Sequence, residues 1–151
     1  MKKFKAKYGE IPNVSENDFF TNSMHVPVWH RLSVIDKIDI ESKLTGFSSA
    51  GCITYVEFDS GVKHNLLALE TVVLYAMDHD IPYFAVNVPN DMCCDCGFTD
   101  YIDQACPMCG GTDIRRLRRV TGYLTDDYRS TFNKGKQQEV EMRFVHSWFR
   151  K

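Results

Sequence analysis

The segment from Cys93 to Leu124 reads CCDCGFTDYIDQACPMCGGTDIRRLRRVTGYL, and it decides how the whole chain is interpreted. Its first half contains two Cys-x-x-Cys pairs with nine residues between them. Each pair bends the chain so that two sulfurs face one point, and four thiolates in a tetrahedral arrangement suit Zn²⁺. The spacing therefore predicts a zinc ribbon whose ligands are Cys93, Cys96, Cys106 and Cys109.

The residues beside the two pairs fit such a ribbon. Gly97 follows the first pair, and Gly110 and Gly111 follow the second, where the backbone has to turn tightly and approach the sulfurs closely. Pro107 stiffens the second turn because its ring fixes φ. Iron in a rubredoxin-like site is the alternative metal, since four sulfurs suit both ions. Two redox pairs or two disulfides are the alternatives without a metal.

Two further cysteines lie outside the predicted ligand set. Cys94 stands within the first pair, and we expect its side chain to point away from the metal. Cys52 begins an apolar and β-branched run that ends at Phe58. Such a run favours a buried, inert thiol, because free cysteine packs as a small hydrophobic residue. The neighbouring sequence contains no base that would recommend a catalytic role for Cys52.

Composition indicates one ordinary globular domain. The chain has 151 residues, of which 44% are hydrophobic and 25% charged, and its formal net charge is −2. This charge gives no overall attraction to nucleic acid, although residues 115–119 form a basic run typical of a solvated or ion-paired face. The sequence contains no apolar run of transmembrane length. Its first three residues, Met1-Lys2-Lys3, are not followed directly by the apolar stretch of a signal peptide. We therefore expect a cytoplasmic protein with no membrane partner, in which disulfides rarely persist.

The residues before the cysteine pairs have an α/β pattern. Apolar spacing predicts a short helix over residues 34–44, and β-branched and aromatic residues predict strands over 52–58 and 82–88. Between the strands, Asn65 is expected to cap a helix that runs to Asp78. The wide apolar stripe of that helix indicates burial on more than one side. Strand, helix and strand in this order predict a βαβ unit.

Beyond the cysteine pairs, we expect a loop over residues 118–132 and a helix over residues 135–149 with one apolar face. Gly122 is unusual in this loop because its neighbours are β-branched or apolar and favour burial. A turn with positive φ is the simplest explanation. A second explanation is chemical: a glycine Cα that loses one hydrogen leaves a planar radical, stabilised by the flanking amide groups and uncrowded by a side chain. A buried loop would shield such a radical.

The sequence closely resembles the C-terminal region of anaerobic (class III) ribonucleoside-triphosphate reductases. The two cysteine pairs stand at the family's distance upstream of the glycine motif, and the resemblance spans almost the whole chain. Its other motifs are Phe20-Thr21-Asn22-Ser23-Met24-His25-Val26-Pro27-Val28, Tyr83-Phe84-Ala85-Val86-Asn87-Val88-Pro89, Arg118-Arg119-Val120-Thr121-Gly122-Tyr123-Leu124, Phe132-Asn133-Lys134-Gly135-Lys136-Gln137-Gln138-Glu139-Val140, Arg143 and His146.

This resemblance implies a fold and a role for each segment. Residues 1–88 would be the C-terminal part of a glycyl-radical α/β barrel, and residues 89–116 the family's structural zinc ribbon. Residues 117–133 would be the radical loop, inserted toward the centre of the barrel, and residues 134–151 a C-terminal helix. Gly122 would be the glycyl-radical residue, and the four cysteines would hold zinc at the base of its loop.

The resemblance also implies partners. In the family, a separate radical-SAM iron–sulfur activase installs the radical, and the stored radical generates a thiyl on a barrel cysteine that abstracts a hydrogen atom from the ribose. Complete reductases are several times longer, and their thiyl cysteine and nucleotide sites lie upstream of the region matched here. We therefore expect a separately encoded C-terminal piece that meets ribonucleoside triphosphates through an N-terminal reductase fragment.

Several origins and functions fit this expectation. A split gene and a truncated reading frame are alternative origins. One alternative function is a spare part that replaces the oxygen-cleaved end of an intact reductase. Another is a zinc-ribbon module that binds nucleic acid or protein through residues 115–119. The βαβ segment would be redundant on an intact barrel, and it therefore favours a split enzyme over a spare part.

Overall fold

The computed structural model describes residues 1–20, 25–120 and 122–146. Thr121, residues 21–24 of the motif over residues 20–28, and the last predicted helical residues, Trp148 among them, lie outside this part of the chain. The helices are α1 (Lys2–Tyr8), α2 (Val34–Thr45), α3 (Leu66–Asp78), α4 (Tyr128–Thr131) and α5 (Lys134–Glu141), with a 3₁₀ turn at Ser60–His64. The strands are β1 (Thr54–Glu57), β2 (Phe84–Asn87), β3 (Asn90–Cys93), β4 (Thr99–Asp100), β5 (Ile114–Val120) and β6 (Tyr123–Thr125).

The predicted βαβ unit is present. β1 and β2 pair in parallel, with Thr54 opposite Phe84, and α3 connects them. The predicted cap of α3 is also present, because the Asn65 side chain accepts a hydrogen bond from the Ala68 N–H at 3.2 Å. Both α2 and α3 pack on one face of this two-stranded sheet and enclose a core that includes Val34, Ile38, Val56, Phe58, Val72 and Ala76.

The packing of α3 differs from the prediction. Only Val72 and Ala76 of this helix are buried, whereas Leu66, Leu67 and Met77 keep 69%, 74% and 65% of their surface exposed. The reason is that the sheet and α2 cover a single side of the helix. A contiguous apolar face of this kind marks an interaction surface more often than an ordinary solvent-exposed helix face.

A second sheet, with strand order β4-β3-β5-β6, contains the ribbon and replaces part of the loop predicted over residues 118–132. β5 pairs antiparallel with β3 along its first half, and its second half pairs with β6. The sequence did not predict β5 as a strand, because four of its seven residues are charged arginines and not the β-branched or aromatic residues typical of strands. Cross-strand pairing and carboxylate partners hold the arginines in extended backbone.

The C-terminal helix is shorter than the sequence predicted. α5 ends at Glu141, and residues 143–146 run beside β1 instead of continuing the helix. Two backbone hydrogen bonds explain the change: Phe144 N–H donates to the Val28 carbonyl at 2.8 Å, and His146 N–H donates to the Glu57 carbonyl at 2.8 Å. These tertiary partners compete successfully with the continuation of a short helix.

Arg143 and His146, two of the residues that carry the family resemblance, therefore meet at Glu57. Arg143 forms an ion pair with the Glu57 carboxylate, and the Glu57 N–H donates to Nδ1 of His146 at 3.1 Å. Burial lowers the pKa of His146 to about 4, so that the ring is neutral and Nδ1 accepts at neutral pH. Burial also raises the pKa of Glu57, against the opposing effect of Arg143.

We expect this contact to make stability depend on pH. Because the pKa of His146 falls from 6.5 to about 4 on folding, the unfolded chain binds an extra proton between these values. The His146 contribution is therefore complete above pH 6.5 and is lost as the pH falls toward about 4. Its size is on the order of 3 kcal/mol. Urea unfolding at several pH values, compared between the native chain and His146→Asn, measures it.

The comparison is needed because Glu57 and Glu139 oppose this trend. Burial raises both of their pKa values, so their contributions decrease as the pH rises. Asparagine keeps an acceptor near the position of Nδ1 but cannot titrate. Equal slopes of unfolding free energy against pH in the two proteins, between pH 4 and 6.5, would contradict the assignment.

Candidate metal centre and glycine turn

The four cysteines predicted as ligands converge on one point. Their sulfurs all lie within 4.8 Å of one another. Cys93 Sγ is 3.6 Å from Cys109 Sγ, and Cys96 Sγ is 3.6 Å from Cys106 Sγ. Sulfurs bound at about 2.3 Å to a tetrahedral Zn²⁺ lie about 3.8 Å apart. The donor set and its spacing therefore fit a metal such as zinc.

The two Cys-x-x-Cys turns have the same backbone design. Gly97 N–H donates to the Cys93 carbonyl at 2.9 Å, and Gly110 N–H donates to the Cys106 carbonyl at 2.8 Å. Both glycines have positive φ, 78° and 75°, which an L side chain rarely adopts. The glycines after each pair are thus required by the turns that direct the sulfurs inward.

The electrostatics of the cluster also call for a cation. Burial disfavours ionisation of Cys106, but backbone N–H groups of Met108 and Cys109 outweigh it and lower its pKa to about 7. The Gly111 N–H lowers the pKa of Cys109, but the neighbouring sulfurs outweigh it and raise that pKa to about 12. Four sulfurs this close cannot all be thiolates without a compensating positive charge. A bound divalent cation would supply that charge.

The two remaining cysteines lie apart from the cluster. Cys94 is exposed, and its N–H donates to the Asp113 carbonyl at 2.9 Å. Cys52 is buried, as its apolar neighbours indicate. Its Sγ lies 3.9 Å from Nε2 of His25, whose Nδ1 lies 3.4 Å from the Glu41 carboxylate. Sequence analysis missed this base because His25 is 27 positions away along the chain.

Burial and the nearby Glu41 carboxylate raise the pKa of Cys52. The protonated thiol therefore dominates at neutral pH, and a thiol is a much weaker nucleophile than a thiolate. The Glu41 carboxylate itself has a pKa lowered to about 2, because hydrogen bonds from His25 and Lys37 outweigh the effect of burial. The arrangement is consistent with the inert thiol expected from the sequence.

Gly122 lies in the turn between β5 and β6. Its φ is 84°, and Val120 pairs with Tyr123 across the turn. A Cβ at this position would meet only the Tyr55 hydroxyl, at 4.0 Å. The positive φ agrees with the simplest explanation for this glycine. Gly122 is exposed, so the described residues do not supply the shield that a radical requires.

β5 joins the cysteine cluster to this turn in one continuous strand. Its first residue, Ile114, pairs with Cys93, and its last, Val120, is buried against the aromatic rings of Tyr128 and Phe132. The motif around residues 132–140 supports the same turn from outside. Lys136 Nζ lies 3.4 Å from the centroid of the Tyr123 ring, a cation–π distance. The glycine motif and the motif that follows it are therefore parts of one structural unit.

The fold and the site define a class: an α/β protein with a zinc-ribbon-like cysteine cluster that carries a glycine turn. The family model described as anaerobic ribonucleoside-triphosphate reductase matches residues 1–146. This chain belongs to the anaerobic ribonucleoside-triphosphate reductase family.

Curated relatives share this name. The anaerobic ribonucleoside-triphosphate reductase of Escherichia coli (strain K12) is 39% identical over 149 residues, and that of Enterobacteria phage T4 is 36% identical over 148. Each alignment covers 93% of this chain but only 21% and 24% of the respective relative. The chain thus spans less than a quarter of the length of these proteins.

Solved structures give the same result for the fold. A solved structure of an anaerobic ribonucleotide reductase matches 97% of this chain and 22% of its own chain, with a TM-score of 0.71 and 25% identity. The Thermotoga maritima anaerobic ribonucleotide reductase in complex with dATP and CTP matches 91% of this chain, with a TM-score of 0.58 and 24% identity. None of the helices in the part of the chain that the structure describes is long and apolar enough to cross a membrane.

Proposed function

We propose that this chain is the cytoplasmic, glycyl-radical-bearing C-terminal piece of an anaerobic ribonucleoside-triphosphate reductase. One observation carries the proposal. The chain covers about a fifth of its relatives, and within that fifth lie both the four-cysteine cluster and the turn that presents Gly122. A separately encoded N-terminal piece would supply the remainder, including the thiyl cysteine and the site for the ribonucleoside triphosphate.

In this proposal each part of the chain has a distinct task. Gly122 stores the radical after an activase of the radical-SAM class installs it. The four-cysteine cluster holds the metal. β5 pairs with β3 in the ribbon and leads directly into the Gly122 turn, so that a rigid ribbon restricts the position of the turn. The βαβ unit would join the partner's strands to complete an α/β barrel. The partner would also cover Gly122, which is exposed in this chain alone.

The surface of the βαβ unit supports the need for a partner. Leu66, Leu67, Leu74 and Met77 expose at least half of their surface on α3. The sheet beneath has two strands among the described residues, so β2 lacks a strand neighbour on its outer side. Open strand edges and apolar helix faces are prone to association until they are covered.

A nucleic-acid-binding zinc ribbon is the alternative from a different class. It would use the arginines of residues 115–119, but most of them have acidic partners within the chain. Arg115 lies 3.8 Å from Asp126, and both Arg116 and Arg118 pair with Asp91. Arginines committed to internal ion pairs are poorly placed to neutralise phosphates, and this favours the reductase over the binding module.

We expect reductase activity to appear only when the chain is combined with its N-terminal partner. The two pieces should co-purify after co-expression, through an interface on the order of 2,000 Å² or more. Leu67→Asp should weaken binding at least about tenfold, because it places a charge in the apolar face of α3. Pull-down and anaerobic assay of the mixture measure both effects.

Thr112→Asp is the matched control, because it adds the same charge at an exposed ribbon position outside α3. Its binding should equal that of the native chain. A chain that stays monomeric and binds no reductase fragment would refute the split enzyme and favour the independent module. Restored activity after addition to an intact, oxygen-cleaved reductase would favour the spare part instead.

A further inference from the structure

Asp91 is a fully buried carboxylate at the base of the ribbon, with 0% of its surface exposed. Arg118 donates to it with both terminal nitrogens, at 2.5 Å to Oδ1 and 3.3 Å to Oδ2. The Ile102 N–H donates to Oδ2 at 3.0 Å, and Arg116 Nη1 lies 3.4 Å from the same oxygen. A buried carboxylate is tolerated only when it is paired and hydrogen-bonded in this way.

The position of Asp91 links two sites that are separate in sequence. Asp91 lies on β3 two residues before Cys93, and both side chains are buried on the same face of the strand. Its principal partner, Arg118, lies on β5 four residues before Gly122. The two-pronged contact fixes the guanidinium in orientation as well as distance, since its planar fork matches the carboxylate.

We propose that Asp91 is a positioning residue that couples the four-cysteine cluster to the Gly122 turn. A metal bound by Cys93 would hold the end of β3 in place. Asp91 on β3 then holds the Arg118 side chain of β5, and the Gly122 turn, which follows β5 directly, is held in one position. Removing the carboxylate would leave Arg116 and Arg118 as neighbouring, partly buried cations that repel each other. The coupling stands on the geometry alone, whereas its use in radical chemistry rests on the proposed function of Gly122.

A different role for Asp91 would be confined to the ribbon itself. Ile102, whose N–H it accepts, packs against Cys93 and Cys106 in the small core of the ribbon. If Asp91 served mainly to hold Ile102 in this core, loss of the Asp91 carboxylate would open the cysteine cluster and release the metal. The coupling role instead predicts a cluster that keeps its metal beside a turn that has become loose.

The test is Asp91→Asn in the full protein with its partner, followed by metal analysis and amide hydrogen exchange. Peptides covering residues 118–125 should exchange at least about tenfold faster than in the native protein, because a charge-assisted contact is lost. The metal content and the exchange of the two cysteine turns, residues 93–97 and 106–111, should stay unchanged. Asp113→Asn, at an exposed ribbon position, is the control and should alter neither.

Arg118→Gln should loosen the same peptides, and adding it to Asp91→Asn should have little further effect, because both changes remove one contact. Native exchange in Asp91→Asn, or loss of its metal, would overturn the coupling. A radical signal per chain that stays at the native level despite a loosened turn would overturn the positioning role. A loosened turn in a protein whose native form never carries a radical would support the coupling and refute the proposed function instead.

Discussion

Gly122→Ala should abolish the doublet electron paramagnetic resonance signal that the native chain develops anaerobically with its activase, S-adenosylmethionine and partner. Alanine at φ 84° costs about 1–2 kcal/mol, and the space around the turn accepts a methyl group, since only the Tyr55 hydroxyl comes within 4.0 Å. The variant should therefore fold and bind its partner. A radical at an alanine Cα, however, would be crowded by the methyl group.

Isotopes and oxygen identify the residue directly. Protein made with deuterated glycine should lose the doublet splitting, because that splitting comes from the one hydrogen left on Cα. Air should then cut the radical-bearing chain at Gly122 and release a short C-terminal peptide, which mass spectrometry detects. The peptide should be missing from the Gly122→Ala protein.

Gly9→Ala is the matched control for the backbone strain. Gly9 also has positive φ, 73°, and a Cβ there would meet nothing within 4 Å, yet it lies at the end of α1. It should lower stability by at least as much, because alanine rarely adopts φ 73° with ψ −172°, and it should leave the signal intact. A doublet that survives in Gly122→Ala would place the radical on another residue.

The βαβ unit was predictable from the sequence because its signals are local. β-branched and aromatic residues specify β1 and β2. Asn65 specifies where α3 begins, because its side chain accepts a hydrogen bond from the N–H of the residue three positions later. The cysteine cluster was equally predictable, since the spacing of the pairs and the glycines after them determine where the sulfurs point. Each of these predictions depends on residues that lie close together in the chain.

The parts that were missed depend on distant partners. β5 is a strand because Asp91 and the neighbouring strands accommodate its arginines, and the sequence around residues 114–120 contains no sign of that carboxylate. The helix α5 stops early because Val28 and Glu57 offer backbone partners to the segment after it. The base beside Cys52 is His25, which is distant in the sequence and lies next to Cys52 only in the folded chain.

The exposure of α3 has a different cause. Its wide apolar stripe predicted burial on more than one side, and this prediction is wrong for the described residues, which cover one side of the helix. The sequence thus carries information about a surface that the described residues leave open. The same holds for Gly122, whose exposed turn is the opposite of what a radical needs.

Replacing Cys106 and Cys109 together by serine should remove the metal. Native protein should contain about one Zn²⁺ per chain, because four thiolates form a closed tetrahedral site. Elemental analysis by mass spectrometry measures the content and separates zinc from iron, the alternative that also suits four sulfurs. The double variant keeps two ligands and should bind essentially none.

The structural consequence should be large. The apolar core of the ribbon consists of Cys93, Ile102 and Cys106 with Phe98 and Ile114 packed against them, which is too small to hold strands together unaided. Metal binding in such a domain contributes on the order of 10 kcal/mol to folding. Without it, β3 and β5 should lose their protection from hydrogen exchange, and the Gly122 turn should lose its fixed base.

Cys94→Ser and Cys52→Ser are the controls, because neither thiol belongs to the cluster of four sulfurs. Both should keep the native metal content. The βαβ unit should also stay folded in the double variant, since its core is formed by α2, α3 and the parallel sheet without any cysteine ligand. Full zinc content in Cys106→Ser, Cys109→Ser would refute the ligand assignment, and with it the metal-anchored strand on which the position of Gly122 depends.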